Sequence, residues 1–172
     1  YTLLNQDTFP SWLYSIKQGA TTIWERWDGW TKEKGFQDPG MNSFNHYSLG
    51  SVGEWMFATV AGIDLDAAVA GYKHVVIRPL PGGGLTYAKG QYKSMYGTIA
   101  SSWKVSGGKL VMDVTVPVNT TATVYVPNAK GAAVSESGKA VEKAAGVTAK
   151  GIQGGASVFE VGAGTYRFEV AK

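Results

Sequence analysis

The spacing of apolar residues changes character near residue 72: before it they recur every three or four positions, after it they alternate with polar ones. Over residues 8–19, Trp12, Leu13 and Ile16 predict one apolar face of a helix, with Asp7 or Thr8 as cap, Pro10 in the first turn and Gly19 as its end. Residues 21–24 form a short β-prone run. Residues 31–40, with a Pro39-Gly40 turn signal, read as a loop. Leu49, Val52, Trp55, Met56 and Val60 predict a second helix over 45–61, capped by Ser43 or Asn45 and stopped by Gly62. Gly50 and Gly53 each cost that helix about 1 kcal/mol relative to Ala, so a close approach by another helix or a ligand is expected there. Residues 64–71 read as a short helical or turn-like link.

Beyond residue 72 the period is two. Residues 74–78, 85–94, 97–105, 109–116, 121–126, 157–161 and 165–170 predict strands. Gly107-Gly108, Pro117-Val118-Asn119 and Gly162-Ala163-Gly164 predict hairpin turns between them. Short strands at this interval predict an antiparallel β-sandwich. Residues 129–155, rich in Ala, Gly and Lys, predict weak strands or long loops. The change of period sets an expected domain boundary, with residues 1–72 on one side and 73–172 on the other.

Composition narrows the classes. The chain has 172 residues, of which 44% are hydrophobic and 17% charged, a globular balance. No apolar run approaches the roughly 20 residues that span a bilayer, so no membrane span is expected. Cysteine is absent, which excludes disulfide scaffolds, thiolate metal sites and thiol nucleophiles. The opening Tyr1-Thr2-Leu3-Leu4 has neither an initiator Met nor a signal pattern, and reads as the interior of a longer protein. Residues 1–72 carry four Lys/Arg against eight Asp/Glu, and residues 73–172 carry twelve against five. The basic half has its lysines dispersed along predicted strands, which suits edge protection, and no nucleic-acid partner is expected. His46 and His74 lie far apart with no acid cluster, so no metal is expected. Gly82-Gly83-Gly84 follows a Pro-Leu-Pro turn and is a loop, not a phosphate cradle. No cofactor is implied. The compartment stays open, with a periplasmic or extracellular location favoured over a cytoplasmic one.

The chemistry concentrates in residues 21–30, where three tryptophans, two carboxylates and one arginine occupy ten positions. Indole faces interleaved with acids suit a sugar: the rings cover its C–H faces and the acids accept from its hydroxyls or handle a proton. The alternative is a strand end with Trp24 and Trp27 in the core and Glu25-Arg26 solvated. Arg26 is not expected to assist Glu25, because adjacent strand residues point to opposite faces.

Five ordered blocks carry a family resemblance: Phe9-Pro10-Ser11-Trp12, residues 19–29, residues 43–55 (Ser-Phe-Asn-His-Tyr-Ser-Leu-Gly-Ser-Val-Gly-Glu-Trp), residues 72–79 (Tyr-Lys-His-Val-Val-Ile-Arg-Pro) and residues 119–124. Together they resemble the C-terminal part of bacterial α-L-rhamnosidases of glycoside hydrolase family 78. The resemblance implies the last helices of an (α/α)6 barrel over residues 1–72, followed by a C-terminal β-sandwich over 73–172. It implies hydrolysis of terminal α-L-rhamnosyl groups with inversion, with rhamnose-containing glycosides or polysaccharides as partners. Glu25 matches the family's general base and His46 its rhamnose-binding histidine. The general acid belongs to an upstream barrel segment that nothing here matches, so this fragment is expected to be inactive alone. Asp28 and Glu54 are not cast as that acid.

Within that frame, Trp24 and Trp27 are divided between barrel core and sugar platform, and Asp28 between sugar contact and structural hydrogen bonding. Trp30 is expected at the pocket mouth, and Trp12 and Trp55 in the core. The sandwich has two readings: a carbohydrate-binding module with Tyr87, Tyr92, Tyr96 and Trp103 as platforms, or a structural cover for the barrel, which is favoured. Helices cut from a barrel expose apolar faces, so residues 1–72 are expected to pack on the sandwich or self-associate.

Overall fold

Ser11, not Asp7 or Thr8, opens the first sizeable helix. A computed structural model of the chain describes residues 1–128 and 130–172. It forms two compact units, Tyr1–Glu54 and Trp55–Lys172. In the first, α1 (Thr2–Asn5) precedes α2 (Trp12–Gln18). The Ser11 side chain accepts from the Tyr14 N–H at 3.0 Å, and Gly19 ends α2 at φ 108°. Asp7 is instead paired with Lys17. The expected apolar face is not buried: Ser15 is the only buried residue of α2, and Ile16 is 58% exposed. The region read as a loop contains a small hairpin, β1 (Trp30–Thr31) with β2 (Gly35–Phe36), then a 3-10 turn over Pro39–Met41 capped by Asp38.

The second helix starts later than its pattern suggests and is not uniformly α. Ser48–Ser51 winds as 3-10, α3 (Val52–Trp55) as α and Met56–Ala61 as π. Glycines in its first turns weaken the α form. Gly50 does meet a close neighbour: a Cβ there would lie 3.3 Å from Ile23 Cγ1. Gly53 faces open space, so close approach does not explain it.

The expected stop at Gly62 holds. Its φ is 78°, and a Cβ there would sit 2.2 Å from the Pro79 backbone nitrogen. Left-handed strain of about 1–2 kcal/mol adds to overpacking of about 1–3 kcal/mol. Gly62→Ala is therefore expected to destabilise the second unit by about 2–5 kcal/mol, read as a fall in its denaturant midpoint.

The second unit holds two sheets. Its strands are β3 (Ile63–Leu65), β4 (His74–Ile77), β5 (Tyr87–Ser94), β6 (Gly97–Ser106), β7 (Lys109–Val116), β8 (Thr121–Pro127), β9 (Val134–Glu136), β10 (Lys139–Ala140), β11 (Val147–Gln153), β12 (Ala156–Val161) and β13 (Gly164–Ala171). One sheet runs β10-β9-β13-β7-β6-β5, the other β11-β12-β8-β4-β3. The expected antiparallel sandwich is present, with a parallel β4–β8 pair inside it. β3 replaces part of the expected link over 64–71, and the units divide ahead of the change of period near residue 72. The segment 129–155 supplies β9, β10 and β11, while Ala129 itself lies outside the described residues.

Gly107-Gly108, at φ 57° and 73°, is a true hairpin turn, with Ser106 opposite Lys109. Residues 117–119 and 162–164 instead carry the chain from one sheet to the other, because β7 and β13 belong to the first sheet and β8 and β12 to the second. Alternate residues of both sheets meet inside: Val75, Ile77, Val124, Val126, Ile99, Leu110, Met112 and Phe168 are completely buried.

Trp103 belongs to this core and is no sugar platform. It is 2% exposed, and its indole N–H donates 2.7 Å to the Val60 carbonyl. Ser101 donates 2.6 Å to the Ala61 carbonyl. These two β6 side chains satisfy the carbonyls at the end of the helical run, groups that a helix terminus leaves without internal partners. Of the tyrosines read as platforms, Tyr87 is exposed, Tyr92 packs on Tyr72 at 4.6 Å and Tyr96 lies under the Lys73 ammonium. Among the described residues no helix is long and apolar enough to cross a membrane.

Candidate active site

Residues 22–25 run beside residues 43–46, and backbone hydrogen bonds hold the two runs together. The Glu25 N–H donates 2.8 Å to the Ser43 carbonyl and the His46 N–H 2.8 Å to the Ile23 carbonyl. The Thr22 hydroxyl donates to the Phe44 carbonyl. The β-prone run over 21–24 thus finds a partner without forming a regular strand. Glu25 and His46, 21 positions apart in sequence, end on adjacent runs.

Ser43 clamps Glu25 twice. Its carbonyl takes the Glu25 N–H, and its own N–H donates 2.8 Å to Glu25 Oε2. The carboxylate is half-buried, and Oε1 has no partner among the described residues. One oxygen is fixed and the other is free to accept. His46 is half-buried too: its Nδ1 accepts from the Ser48 N–H at 3.3 Å, and its ring stacks on Tyr47 at 5.2 Å. An accepting Nδ1 sets the neutral tautomer with a proton on Nε2, a donor without a partner among the described residues.

The other expected residues divide differently. Trp24 is 7% exposed and meets Phe44 edge-on at 5.2 Å, while Trp27 meets Trp12 edge-on at 5.2 Å. Trp12 is only partly buried and ties its indole N–H to the Leu49 carbonyl at 2.8 Å. The Asp28 carboxylate is occupied: Gln37 Nε2 donates 3.1 Å to Oδ2, and Arg26 Nε lies 3.7 Å from Oδ1. Arg26 therefore serves Asp28 and leaves Glu25 alone.

Three cavities open in this unit. One of about 430 Å³ is walled by Trp24, Trp30, Phe36 and Phe44. One of about 360 Å³ lies beside Asp28 and Gln37. One of about 70 Å³ lies between Trp12, Trp24 and Trp27. Trp30 lines the first of these. Glu25 and His46 line none of these three.

Asn42 is a residue that pattern reading misses. Its Nδ2 donates 2.8 Å to the Gly29 carbonyl and 3.4 Å to the Gln37 carbonyl, while its Oδ1 is buried without a partner. It thereby fixes the turn that leads into Ser43. The only signal in sequence is its place just ahead of the 43–55 block. A Cβ on Gly29 would stand 2.5 Å from Asn42 Oδ1. Gly29→Ala is accordingly expected to cost about 1–3 kcal/mol and to speed hydrogen exchange at the Glu25 and Ser43 amides.

The pattern of the bacterial alpha-L-rhamnosidase 6 hairpin glycosidase domain matches residues 1–60, and that of the bacterial alpha-L-rhamnosidase C-terminal domain matches residues 62–141. An alpha-L-rhamnosidase of Streptomyces avermitilis is 46% identical over 170 residues, 99% of this chain and 16% of that protein. One from Formosa agariphila is 48% identical over 127 residues, 74% of this chain and 14% of its own length. The crystal structure of the Streptomyces avermitilis alpha-L-rhamnosidase complexed with L-rhamnose superimposes with a TM-score of 0.86 over 98% of this chain and 15% of that one. The alpha-L-rhamnosidase from Dictyoglumus thermophilum, 32% identical, gives 0.82 over 100% and 18%. The chain thus spans less than a fifth of the length of these relatives. Over that span, it belongs to the bacterial α-L-rhamnosidases, as a C-terminal fragment.

Proposed function

We propose that the chain is part of an inverting glycoside hydrolase that releases terminal α-L-rhamnosyl groups, with Glu25 as the general base. The observation that carries this reading is the Glu25 carboxylate, pinned through Oε2 to the Ser43 N–H with Oε1 free to accept. A base so held needs no reorganisation to take a proton from water. The water oxygen attacks the anomeric carbon and its proton passes to Glu25. The bond to the aglycone oxygen breaks, and that oxygen is protonated by an acid outside this chain. Inverting hydrolases hold the two carboxyls roughly 6.5–9.5 Å apart so that the water fits between.

His46 is suited to donate from Nε2 to a sugar hydroxyl. Asp28, held by Gln37 and Arg26, shapes the turn beside Glu25 and does not enter the chemistry. Trp24 and Trp27 act as the aromatic floor of this region. The first unit and the helical run through Ala61 belong to the barrel, and the two sheets form the sandwich. The boundary lies ahead of residue 72, because β3 is already paired with β4.

The test is the anomer first formed. With the full-length enzyme and an aryl α-L-rhamnoside, proton NMR is expected to show β-L-rhamnose before mutarotation. The chain alone is expected to release none. Initial α-rhamnose, or release by the chain alone that is abolished in Glu25→Gln, overturns the assignment.

A further inference from the structure

We propose that the groove on the outer face of the second sheet binds a carboxylate-bearing sugar, a uronate residue of a glycan, through Arg78. The groove has a volume of about 780 Å³, within the roughly 300–1,000 Å³ of small-ligand pockets. Strand alternation builds it. Val75 and Ile77 of β4 turn into the core, so Val76 and Arg78 face outward; Val124 and Val126 of β8 do the same, leaving Tyr125 outside. Trp55 and Thr59 of the helical run and the Gly154-Gly155 turn between β11 and β12 also line it.

Arg78 carries the chemistry. Its guanidinium carbon lies 5.3 Å from the centre of the Tyr125 ring, over the ring, a cation–π contact that holds it at the groove. Its backbone N–H is spent on the Gly62 carbonyl at 2.8 Å. Its side-chain N–H groups meet no carboxylate or carbonyl among the described residues. The planar fork of donors that a guanidinium offers matches the two oxygens of a carboxylate. Asp64 shares the groove; its Oδ1 takes the Leu65 N–H at 2.8 Å, and Oδ2 is left as an acceptor for a hydroxyl group. Carboxylate and hydroxyls together describe a uronate. None of this depends on Glu25, which lies in the other unit.

The experiment is a titration of the 15N-labelled 172-residue chain with D-glucuronate, D-glucose and acetate, followed by amide NMR. Glucose has the ring without the carboxylate, and acetate has the carboxylate without the ring. Saturable shifts at Arg78, Tyr125 and Gly154 with glucuronate, and none with the other two, are expected. Arg78→Gln is expected to weaken binding by about tenfold or more. Arg78→Lys is expected to weaken it similarly, because a point charge lacks the fork. Arg78 is exposed, so both variants keep the core, and Glu25→Gln is expected to leave the titration unchanged. Equal binding of acetate, equal binding of glucose, shifts located elsewhere, or a glucuronate titration unaltered in Arg78→Gln would each overturn the proposal.

Discussion

Changing Glu25 to Gln in the full-length enzyme that carries this segment is expected to lower kcat by about 10²–10⁴-fold, with KM nearly unchanged. The amide has the shape of the carboxylate, and its oxygen can still accept the Ser43 N–H, so the clamp and the fold survive. On the proposed role of Glu25, what is lost is the ability to take the proton from the attacking water, an interaction that strengthens only in the transition state. Added azide, which needs no deprotonation, should restore part of the rate and yield a rhamnosyl azide of inverted configuration. Steady-state kinetics and product NMR check these points. A variant that keeps kcat within a few-fold of the parent would remove Glu25 from the mechanism.

Trp103→Ala is expected to destabilise the sandwich by about 3–5 kcal/mol, a large share of the roughly 5–15 kcal/mol that holds a domain together. The indole is 2% exposed, among Ile99, Met112 and other completely buried neighbours, so its removal leaves a cavity. It also strips the Val60 carbonyl of its donor. Trp103→Phe should cost less, about 1–3 kcal/mol, since most of the ring volume stays and only the N–H goes. Urea unfolding of the 172-residue chain, following the sandwich transition, separates the two variants. If Trp103→Ala unfolded at the parent's midpoint and lost only sugar binding, the buried assignment would be wrong.

The same two residues show where pattern reading stops. Trp103 stands in a run that alternates correctly, and the strand over 97–105 emerges as β6 with nearly those bounds. Alternation says that one face of a strand is buried. It does not say which of two faces, nor that a helix end lies over it. Glu25 was marked by the residues around it, yet the group that aims it, the Ser43 N–H, is a backbone atom and has no signature of its own. Asn42 is similarly silent until its amide is seen bridging Gly29 and Gln37.

Elements whose cause is local were legible in the chain itself. Period two gave the strands over 97–105 and 109–116, and Gly107-Gly108 gave the hairpin between them, because positive φ costs glycine little. Gly19 and Gly62 ended their helical segments for the same reason. Only the tertiary structure decided which sheet each strand joins, so that residues 117–119 and 162–164 cross between sheets instead of closing hairpins. It alone laid β4 parallel to β8, buried Trp103, and brought Ser43 to Glu25. The physical reason is range. Dihedral preference and alternation act over a few residues, whereas pairing and burial are settled by partners tens of positions away, whose identity no short stretch of chain encodes.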